Sequence, residues 1–317
     1  MRACPTCGAT YRGEPDRCPL DGAVLTPTLD SKLGKKIGDW YLHQTIVEGM
    51  FADVYKAKRG EQIGALKLYK ADAPLQRVLR EGGAQARISH PNVATLLDQG
   101  LTSSGDLFLV TEFVKGQTLR ALLDKNRNGL PWPRAAHIAA QAAAGLGAIH
   151  KNGLVHRDLK PGNFMLTEAD QPEQQRVVLL DLGHALALDE IRLTQSGLVW
   201  GSVPYMSPEQ AAGRVCDLRS DLYSLGVILY EMLLGHRPFE ARAAVEVMQM
   251  HWNFMPVAPV GRGDIPSRVS DLCMWLLSKR ASQRPNSARV VEATLMGILA
   301  NEQLRQESRQ DFRKQMP

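Results

Sequence analysis

The most informative stretch of this 317-residue chain is His156-Arg157-Asp158-Leu159-Lys160-Pro161-Gly162-Asn163. A second motif, Asp181-Leu182-Gly183, begins 23 residues after Asp158. A loop that ends in Asn163 can place the Asp158 carboxylate beside an incoming hydroxyl while the Asn163 amide oxygen faces a divalent cation. Hard oxygen ligands of this kind suit Mg²⁺. The pattern therefore indicates chemistry on a hydroxyl group next to a bound divalent cation.

These two motifs resemble the catalytic loop and the metal-binding turn of the eukaryotic-type protein kinases, the bacterial serine/threonine branch above all. The resemblance covers roughly residues 40 to 296. It implies an α+β, bilobal protein-kinase-like fold, with a small β-rich N-lobe that has one main helix and a larger α-helical C-lobe. It also implies transfer of the γ-phosphoryl group of ATP to serine or threonine hydroxyls of protein substrates, with autophosphorylation and a role in signalling.

The same resemblance gives the motif residues their roles. Asp158 is expected to be the catalytic base or orienter, and Lys160 to steady the γ-phosphate during transfer. Asn163 and Asp181 are expected to bind Mg²⁺, or Mn²⁺ in its place. Leu182 stands where the family has phenylalanine, which exchanges one apolar packing residue for another and should leave the chemistry intact.

Upstream, Ala65-Leu66-Lys67 lies in a strand-like run and resembles the family strand whose lysine holds the α- and β-phosphates of ATP. Lys67 is thus the expected ATP anchor. Glu81 follows fourteen residues later, on a predicted helix over Pro74–Ile88, and fits the role of the glutamate that pairs with this lysine. A lone lysine or glutamate would be a solvated surface charge; the ordered set with Asp158 and Asp181 favours the nucleotide site.

The segment Leu109–Val114 resembles the hinge that joins the lobes of a kinase. Backbone groups of Glu112 and Val114 would contact adenine there. Taken alone, the same residues also suit a buried edge strand.

The nucleotide-covering turn, residues 47–54, departs from the family. The pattern Gly-x-Gly-x-x-Gly-x-Val aligns with Val47-Glu48-Gly49-Met50-Phe51-Ala52-Asp53-Val54, so only Gly49 of the three glycines is kept. Val47 and Ala52 carry Cβ atoms where glycine lets the backbone approach phosphate and adopt positive φ. We expect ATP contacts from Val47, Gly49 and Val54 and weakened, not abolished, ATP binding.

Later residues indicate the acceptor and the scaffold. Lys160, together with Ser202 in Gly201-Ser202-Val203-Pro204-Tyr205, resembles the serine/threonine branch, and the segment from Gly201 to Glu209 resembles a peptide-positioning loop. Glu209 is expected to pair with Arg284 in a structural salt bridge. Asp221 is expected to anchor the catalytic loop from its helix.

Arg157 is expected to pair with a phosphate on the activation segment, because a charge-assisted bond of this kind orders a loop. Thr194 and Ser196 are the candidate phosphate acceptors. The alternative is that these two hydroxyls are ordinary loop residues.

The N-terminus contains Cys4-Pro-Thr-Cys7-Gly and Cys18-Pro-Leu-Asp21-Gly, which resemble the two knuckles of a zinc ribbon. Zinc accepts three thiolates and a carboxylate oxygen, although four cysteines are commoner. Cys4, Cys7, Cys18 and Asp21 are therefore the candidate Zn²⁺ ligands, in a segment that could recruit a partner or regulate the enzyme. A vestigial knuckle or a flexible tail is the alternative.

Composition sets limits on the remaining functions. The 38 Lys and Arg residues against 33 Asp and Glu leave a charge of +5, without a dense basic block that would indicate nucleic-acid or membrane-surface binding. No apolar stretch approaches the roughly 20 residues of a membrane helix, and no apolar signal region follows the first residues, so a cytoplasmic location is expected. The domains expected along the chain are a zinc-ribbon-like segment (1–30), a linker (31–39), a kinase domain (40–300, with lobes 40–114 and 115–300) and a polar tail (301–317).

Two rival functions remain open at this point. A pseudokinase scaffold, which binds nucleotide and partners without turnover, is favoured by the eroded glycine pattern and opposed by the intact catalytic motifs. A small-molecule kinase of related fold is disfavoured by the peptide-positioning segment.

Overall fold

The computed structural model describes residues 2–3, 10–11, 17, 24, 26–27, 30, 32–49, 52–70, 82–83, 85–182, 186–187, 203–260 and 263–315. The chain divides into two compact units. Met1–Ala86 and Ala94–Phe113 form the smaller unit, and Arg87–Val93 with Val114–Pro317 form the larger one. The lobe boundary expected after Val114 lies one residue from the observed division.

The smaller unit begins with a short antiparallel sheet of strands β1 (Arg2–Ala3), β2 (Thr10–Tyr11) and β3 (Thr26–Pro27), in the order β2-β1-β3. An isolated antiparallel bridge joins Arg17 and Val24. The sequence between each of these paired positions contains one of the two Cys-Pro motifs. The two motifs are therefore bracketed by antiparallel backbone pairs.

A six-stranded antiparallel sheet makes up most of the smaller unit, in the order β4-β5-β6-β7-β9-β8. Its two faces bury different clusters, because side chains of a strand alternate between faces. Trp40, Tyr55, Leu66 and Val110 belong to one cluster, and Ala52, Tyr69, Leu107 and Leu109 to the other. The strands are β4 (Lys36–Ile37), β5 (Trp40–Glu48), β6 (Ala52–Arg59), β7 (Gln62–Tyr69), β8 (Leu96–Leu101) and β9 (Leu107–Glu112).

The segment 31–39, expected to be a linker, belongs to this sheet where the structure describes it. Leu33 is buried in the cluster that contains Trp40, and Lys36–Ile37 pairs with Trp40–Tyr41. Gly34 and Gly38 have φ values of 75° and 55°, which lets the chain turn tightly enough to add this strand. Burial of Leu33 outweighs the polar composition on which the expectation rested. Of the helix expected over 74–88, only Gly82, Gly83 and Gln85 are among the described helical residues.

The larger unit is mainly helical. Its core surrounds the helix α4, which is buried along almost its whole length from Ser220 to Leu233. Asp217 caps the start of that helix by accepting a hydrogen bond from the amide of Arg219, and Gly235 ends it at φ 80°. The helices are α1 (Leu119–Lys125), α2 (Trp132–Lys151), α3 (Pro208–Ala211), α4 (Leu218–Leu234), α5 (Ala244–Asn253), α6 (Ser267–Leu276) and α7 (Ala288–Gln315).

Short strands complete the larger unit. One sheet has the order β10-β12-β13, and a second consists of β11 and β14. Helix α7 runs without a break through the boundary expected at residue 300. Within the described ranges, no helix is both long and apolar enough to cross a bilayer. The strands are β10 (Gly116–Thr118), β11 (Leu154–Val155), β12 (Phe164–Thr167), β13 (Val177–Leu179) and β14 (Leu186–Ala187).

Candidate active site

Asp158 lies in the loop between β11 and β12 and is 8% exposed. Its Oδ2 accepts a 2.6 Å hydrogen bond from Lys160 Nζ. Its Oδ1 is buried without a hydrogen-bond partner among the described residues. A buried carboxylate oxygen without a partner is costly, which makes this atom a candidate to accept a hydrogen bond from a further group. The Asp158 carboxylate thus has one oxygen held by Lys160 and one that has no partner among the described residues.

Asp221 holds the backbone of this loop, as the sequence predicted. Its two oxygens accept from the amides of His156 and Arg157, each at 2.8 Å, and from His150 Nε2 at 2.8 Å. Burial alone would raise the pKa of Asp221, but the hydrogen bond from His150, the neighbouring imidazoles and the hydrogen bond from the Arg157 amide outweigh it, and the pKa is lowered. The ionised carboxylate is therefore the stable form at neutral pH.

Arg157 adopts φ 66°, a conformation that is rare for a residue with a side chain. Its amide donates to Asp221 and its carbonyl accepts from Gln210 Nε2 at 2.8 Å, so both neighbouring peptide groups are held. The positive φ at Arg157 sets the direction in which the backbone enters Asp158. Helix α3, which starts with a capping box of Ser207 and Gln210, thereby supports the catalytic loop.

Asn163 and Asp181 flank the hairpin of β12 and β13. Phe164 pairs with Leu179, and the amide of Leu180 donates to the Asn163 carbonyl at 2.8 Å. The pairing brings the end of the catalytic loop beside Asp181, which adopts φ 55°. His156, fully buried, accepts from the Asp158 amide at Nδ1 (3.3 Å), while its Nε2 lies 3.4 Å from the Leu180 carbonyl. One imidazole therefore links the catalytic loop to the metal-binding turn.

These residues fit a divalent cation and nucleotide. Asn163 Nδ2 donates to the Asp158 carbonyl at 2.7 Å, so the amide oxygen is the atom of Asn163 that could face a cation. Together with the exposed Asp181 carboxylate, this gives a set of hard oxygen donors that suits Mg²⁺. Leu182 is 1% exposed and belongs to the core of the larger unit, so the apolar packing role of this position is kept.

The ATP-binding residues expected in the smaller unit share one face of its sheet. Val47 pairs with Val54, Val54 with Lys67, and Lys67 with Leu109, so these residues form one row across four strands. Directly opposed residues of antiparallel strands project on the same side. Ala65, two residues before Lys67, projects on that side as well.

Glu81, the expected partner of Lys67, lies outside the described residues. Its neighbour Gly82 lies on the same face as Lys67, because a Cβ atom on Gly82 would fall 2.9 Å from Leu109 Cδ2 and 2.1 Å from Gln99 Oε1. This close approach places Gly82 against the row that contains Lys67. The Lys67–Glu81 pair stays a prediction that this packing favours.

The nucleotide-covering turn is held by lysines. Lys70 Nζ donates to the Gly49 carbonyl at 2.6 Å and lies 3.2 Å from Asp53 Oδ1, while Lys32 Nζ lies 2.9 Å from Asp53 Oδ2. The Gly49 amide donates to the Ala52 carbonyl at 3.1 Å. A Cβ atom on Gly49 would lie 2.5 Å from that carbonyl oxygen, so the one glycine kept is the one that the turn requires.

The other two glycine positions need no glycine. Among the described non-glycine residues, positive φ occurs only at Arg157 and Asp181, so Val47 and Ala52 have ordinary backbones. In the hinge, the Glu112 amide donates to the Thr95 carbonyl at 2.9 Å, so the adenine contact proposed for Glu112 concerns its carbonyl. Val114 is buried at the start of the larger unit.

The predicted Glu209–Arg284 salt bridge is confirmed. Arg284 Nη1 and Nη2 donate to the two Glu209 oxygens at 2.7 and 2.8 Å, and the Arg284 side chain is fully buried. Burial by itself would raise the pKa of Glu209, but the hydrogen bonds and charge of Arg284 lower it. This bidentate pair fixes the end of the peptide-positioning segment.

Sequence reasoning missed a second buried network. Arg120 Nη1 and the Tyr205 hydroxyl donate to the two oxygens of Glu231, at 2.8 and 2.7 Å. Burial and the neighbouring Glu231 carboxylate raise the pKa of Tyr205. These three residues come from distant parts of the chain, so no local sequence pattern predicts their contact.

Several expected site residues lie outside the described residues. Within the described ranges, no group of three or more His, Cys, Asp or Glu side chains could hold a metal ion. That finding does not bear on the zinc ligands, because none of them is described. The expected site residues that lie outside the described ranges are Cys4, Cys7, Cys18, Asp21, Glu81, Thr194 and Ser196.

A β-rich unit with a lysine-bearing strand, and a helical unit with a His-Arg-Asp loop and an Asp-Leu-Gly turn, define the class of protein kinases. The family model described as the protein kinase domain matches residues 40–296, and the chain belongs to that family.

Curated relatives are bacterial kinases. The serine/threonine-protein kinase pkn3 of Myxococcus xanthus is 35% identical over 294 residues, which cover 87% of this chain and 53% of the relative. A probable serine/threonine-protein kinase of Clostridium perfringens is 35% identical over 84% of this chain and 39% of its own. PknB of Mycobacterium leprae is 34% identical over 74% and 38%. The chain spans about half the length, or less, of these relatives.

Proposed function

We propose that this chain is a protein serine/threonine kinase that transfers the γ-phosphoryl group of ATP to serine and threonine hydroxyls. The observation that carries the proposal is the Asp158 carboxylate, which has one oxygen bonded to Lys160 and one buried oxygen without a partner among the described residues. The names of the curated relatives and the branch-typical Lys160 support the choice of acceptor. The complete catalytic loop gives the pseudokinase alternative no support.

In this proposal Asp158 Oδ1 accepts the hydrogen bond of the acceptor hydroxyl and orients it for attack. Lys160, which lies beside Oδ2, neutralises charge on the transferred group. Asn163 and Asp181 hold the cation, whose positive charge stabilises the phosphate oxygens when Mg-ATP is bound. Lys67 holds the α- and β-phosphates, and Val47, Ala65 and Val54 provide apolar surface for the nucleotide.

The test is radiolabelled phosphoryl transfer from Mg-ATP to the chain itself and to myelin basic protein. Asp158→Asn should abolish transfer by at least about a thousandfold, because it removes the group that orients the hydroxyl. Asp170→Asn, which changes an exposed aspartate of the same unit, should leave it unchanged. Phosphoserine and phosphothreonine in the product would support the acceptor class. Nucleotide binding without transfer by the wild type would instead support a scaffold.

We further propose that phosphorylation of Thr194 or Ser196 controls the enzyme. Arg157 supports this, because its Nε and Nη2 atoms are buried and have no hydrogen-bond partner among the described residues. Two unsatisfied guanidinium donors fit a phosphate group, which accepts several charge-assisted bonds. Mass spectrometry after autophosphorylation should find a phosphate at one of the two hydroxyls. Finding both unmodified in active protein would overturn this proposal.

For the N-terminal segment we propose a zinc ribbon with Cys4, Cys7, Cys18 and Asp21 as ligands. The pairing of β1 with β2 brackets the first Cys-Pro motif, and the Arg17–Val24 bridge brackets the second. Metal binding would replace the hydrophobic core that so short a segment lacks. Its role would be recruitment of a partner. Protein purified without chelator should contain one zinc per chain, and Cys7→Ser should lose it; substoichiometric zinc in the wild type would contradict the site.

A further inference from the structure

A buried histidine on helix α5 contacts the segment that resembles a peptide-positioning loop. His251 is fully buried, and its Nε2 lies 3.1 Å from the carbonyl oxygen of Pro204. Its Nδ1 lies 3.0 Å from the Tyr223 hydroxyl. Pro204 is the middle residue of the 3₁₀ turn Val203–Tyr205. Helices α4 and α5 are thus joined to this turn through one imidazole.

The direction of these hydrogen bonds follows from the Pro204 carbonyl and is consistent with the position of Lys279. Its ammonium group only donates, and it lies 3.4 Å from the Tyr223 hydroxyl and 2.8 Å from the His251 carbonyl. The Pro204 carbonyl can only accept, so the proton of the neutral ring resides on Nε2 and is donated to Pro204. Nδ1 is then an acceptor, and the Tyr223 hydroxyl donates its proton to Nδ1 while it accepts from Lys279. Lys279, Tyr223, His251 and the Pro204 carbonyl therefore form a relay of hydrogen bonds in which each group donates to the next.

The surroundings keep the relay in one state. Burial, together with the positive charge of Lys279, lowers the pKa of His251 to about 4, so the ring is neutral near pH 7. Burial and the charge of Arg284 lower the pKa of Lys279 to about 8, which still leaves the ammonium form predominant at pH 7. Phe239 and Tyr223 meet the imidazole edge to face, at centroid distances of 5.1 and 5.7 Å, and fix its orientation.

We propose that His251 is a positioning residue for the protein acceptor, because the Lys279–Tyr223–His251 relay fixes the Pro204 carbonyl and with it the Val203–Tyr205 turn. This inference rests on the proposed kinase function. It adds a part of the machinery that acts on the acceptor alone, since no side-chain hydrogen bond or ring contact of His251 within the described residues involves the catalytic loop or the metal-binding turn. Loss of the relay should therefore weaken binding of the acceptor and leave the use of ATP unchanged.

The test compares His251→Leu with His251→Gln in steady-state phosphorylation of myelin basic protein. Leucine removes the hydrogen bond to Pro204, whereas the glutamine amide can reproduce the Nε2 donor. We expect His251→Leu to raise KM for the protein acceptor about tenfold, as loss of one buried hydrogen bond would. KM for ATP and acceptor-independent ATP hydrolysis should remain within twofold. His251→Gln should recover most of the acceptor KM.

A second arm keeps the test valid if His251→Leu folds poorly. Tyr223→Phe retains the ring and removes the hydrogen bond to Nδ1, so the ¹⁵N signal of His251 Nδ1 should shift while Nε2 keeps the proton that it donates to Pro204. Acceptor KM should rise in the same variant.

Outcomes separate the two proposals. A wild type that labels neither itself nor the acceptor would overturn both. The positioning role alone would be overturned if the wild type is active but its variants show a lower kcat together with higher KM values for both ATP and the acceptor. It would also be overturned if glutamine at position 251 does not restore the acceptor KM.

Discussion

In the catalytic loop, His156 is fully buried and the amides of His156 and Arg157 both donate to Asp221, which lies 64 or more residues away in the sequence. In the nucleotide-covering turn, Val47 is 53% exposed and the Gly49 carbonyl is held by the flexible side chain of Lys70. One buried carboxylate, that of Asp221, holds the first region, and partly exposed lysine side chains hold the second. The catalytic loop keeps its motif residues, and its backbone is the one that buried hydrogen bonds hold in a single conformation.

The difference shows what a missing motif residue costs. The catalytic loop needs positive φ at Arg157 and obtains it from Asp221 and Gln210, without glycine. The nucleotide-covering turn needs glycine only at position 49, where a Cβ atom would meet the Ala52 carbonyl. Loss of the other two glycines therefore changes the sequence pattern more than it changes the backbone.

The largest effect should come from the buried anchor of the catalytic loop. Asp221→Asn keeps the shape of the side chain but turns an amide toward donors that need an acceptor. We expect kcat to fall about a hundredfold, since small misplacement of a catalytic group has effects of that size. The free energy of unfolding should fall by about 2 to 3 kcal/mol, the usual contribution of hydrogen bonds to a buried charge.

Asp271→Asn is the matched control, because Asp271 is exposed on helix α6. Denaturant unfolding and acceptor phosphorylation should both be unchanged in it. A kcat within twofold of the wild type for Asp221→Asn would show that the catalytic loop does not depend on its buried anchor, and the contrast between the two regions would fail.

Prediction from the sequence succeeded where neighbouring residues carry the signal. The continuous motif around Asp158 led to the kinase family that the family model matches, and Leu182 is buried as the apolar packing residue that its motif position indicates. It failed where contacts are set by the register of distant segments. Lys70 reaches Gly49 across 21 residues, and Arg120 reaches Glu231 across 111, with no spacing rule that connects them.

The assignment of residues 31–39 to a linker failed for a related reason. The segment is short and mostly polar, so composition averaged over it hides the single buried Leu33 and the two-residue strand Lys36–Ile37. Its place in the sheet depends on pairing with Trp40–Tyr41, which only the folded register defines. A two-residue edge strand is too short for the alternation of apolar and polar residues to predict it.

A smaller effect is expected at the kept glycine. Gly49→Ala would put a Cβ atom 2.5 Å from the Ala52 carbonyl oxygen, so the turn must shift. We expect KM for ATP to rise about tenfold with little change in kcat, as a displaced phosphate-covering backbone would produce. Ala52→Gly restores the family residue at a position with an ordinary backbone and should change KM for ATP less than twofold. Improvement by Ala52→Gly of tenfold would show that the missing glycines, not the lysine contacts, limit this turn.

The lysine that holds the turn should matter less than the glycine. Lys70→Met removes the bond to the Gly49 carbonyl and the ion pair with Asp53 while it keeps a long unbranched side chain. A partly exposed contact of this kind contributes about 1 kcal/mol, so KM for ATP should rise about fivefold. Lys58→Met, an exposed lysine of the same strand β6 that contains Asp53, is the control. Equal KM values for ATP in the two variants would show that Lys70 does not hold the nucleotide-covering turn in its active conformation.

The smallest effect concerns pH. Burial would raise the pKa of Asp53, but hydrogen bonds and charges from Lys32 and Lys70 lower it below its usual value. A carboxyl whose pKa is lower in the folded state stabilises that state above the unfolded pKa, near 3.9, and loses this contribution as pH falls through the folded pKa. The wild type should therefore unfold less readily than Asp53→Asn at pH 7, and the difference should narrow as pH falls from about 5 toward 3. Chemical denaturation at a series of pH values measures this gap. A gap that stays constant over that range would mean that the lysines hold Asp53 no more tightly in the folded turn than in the unfolded chain.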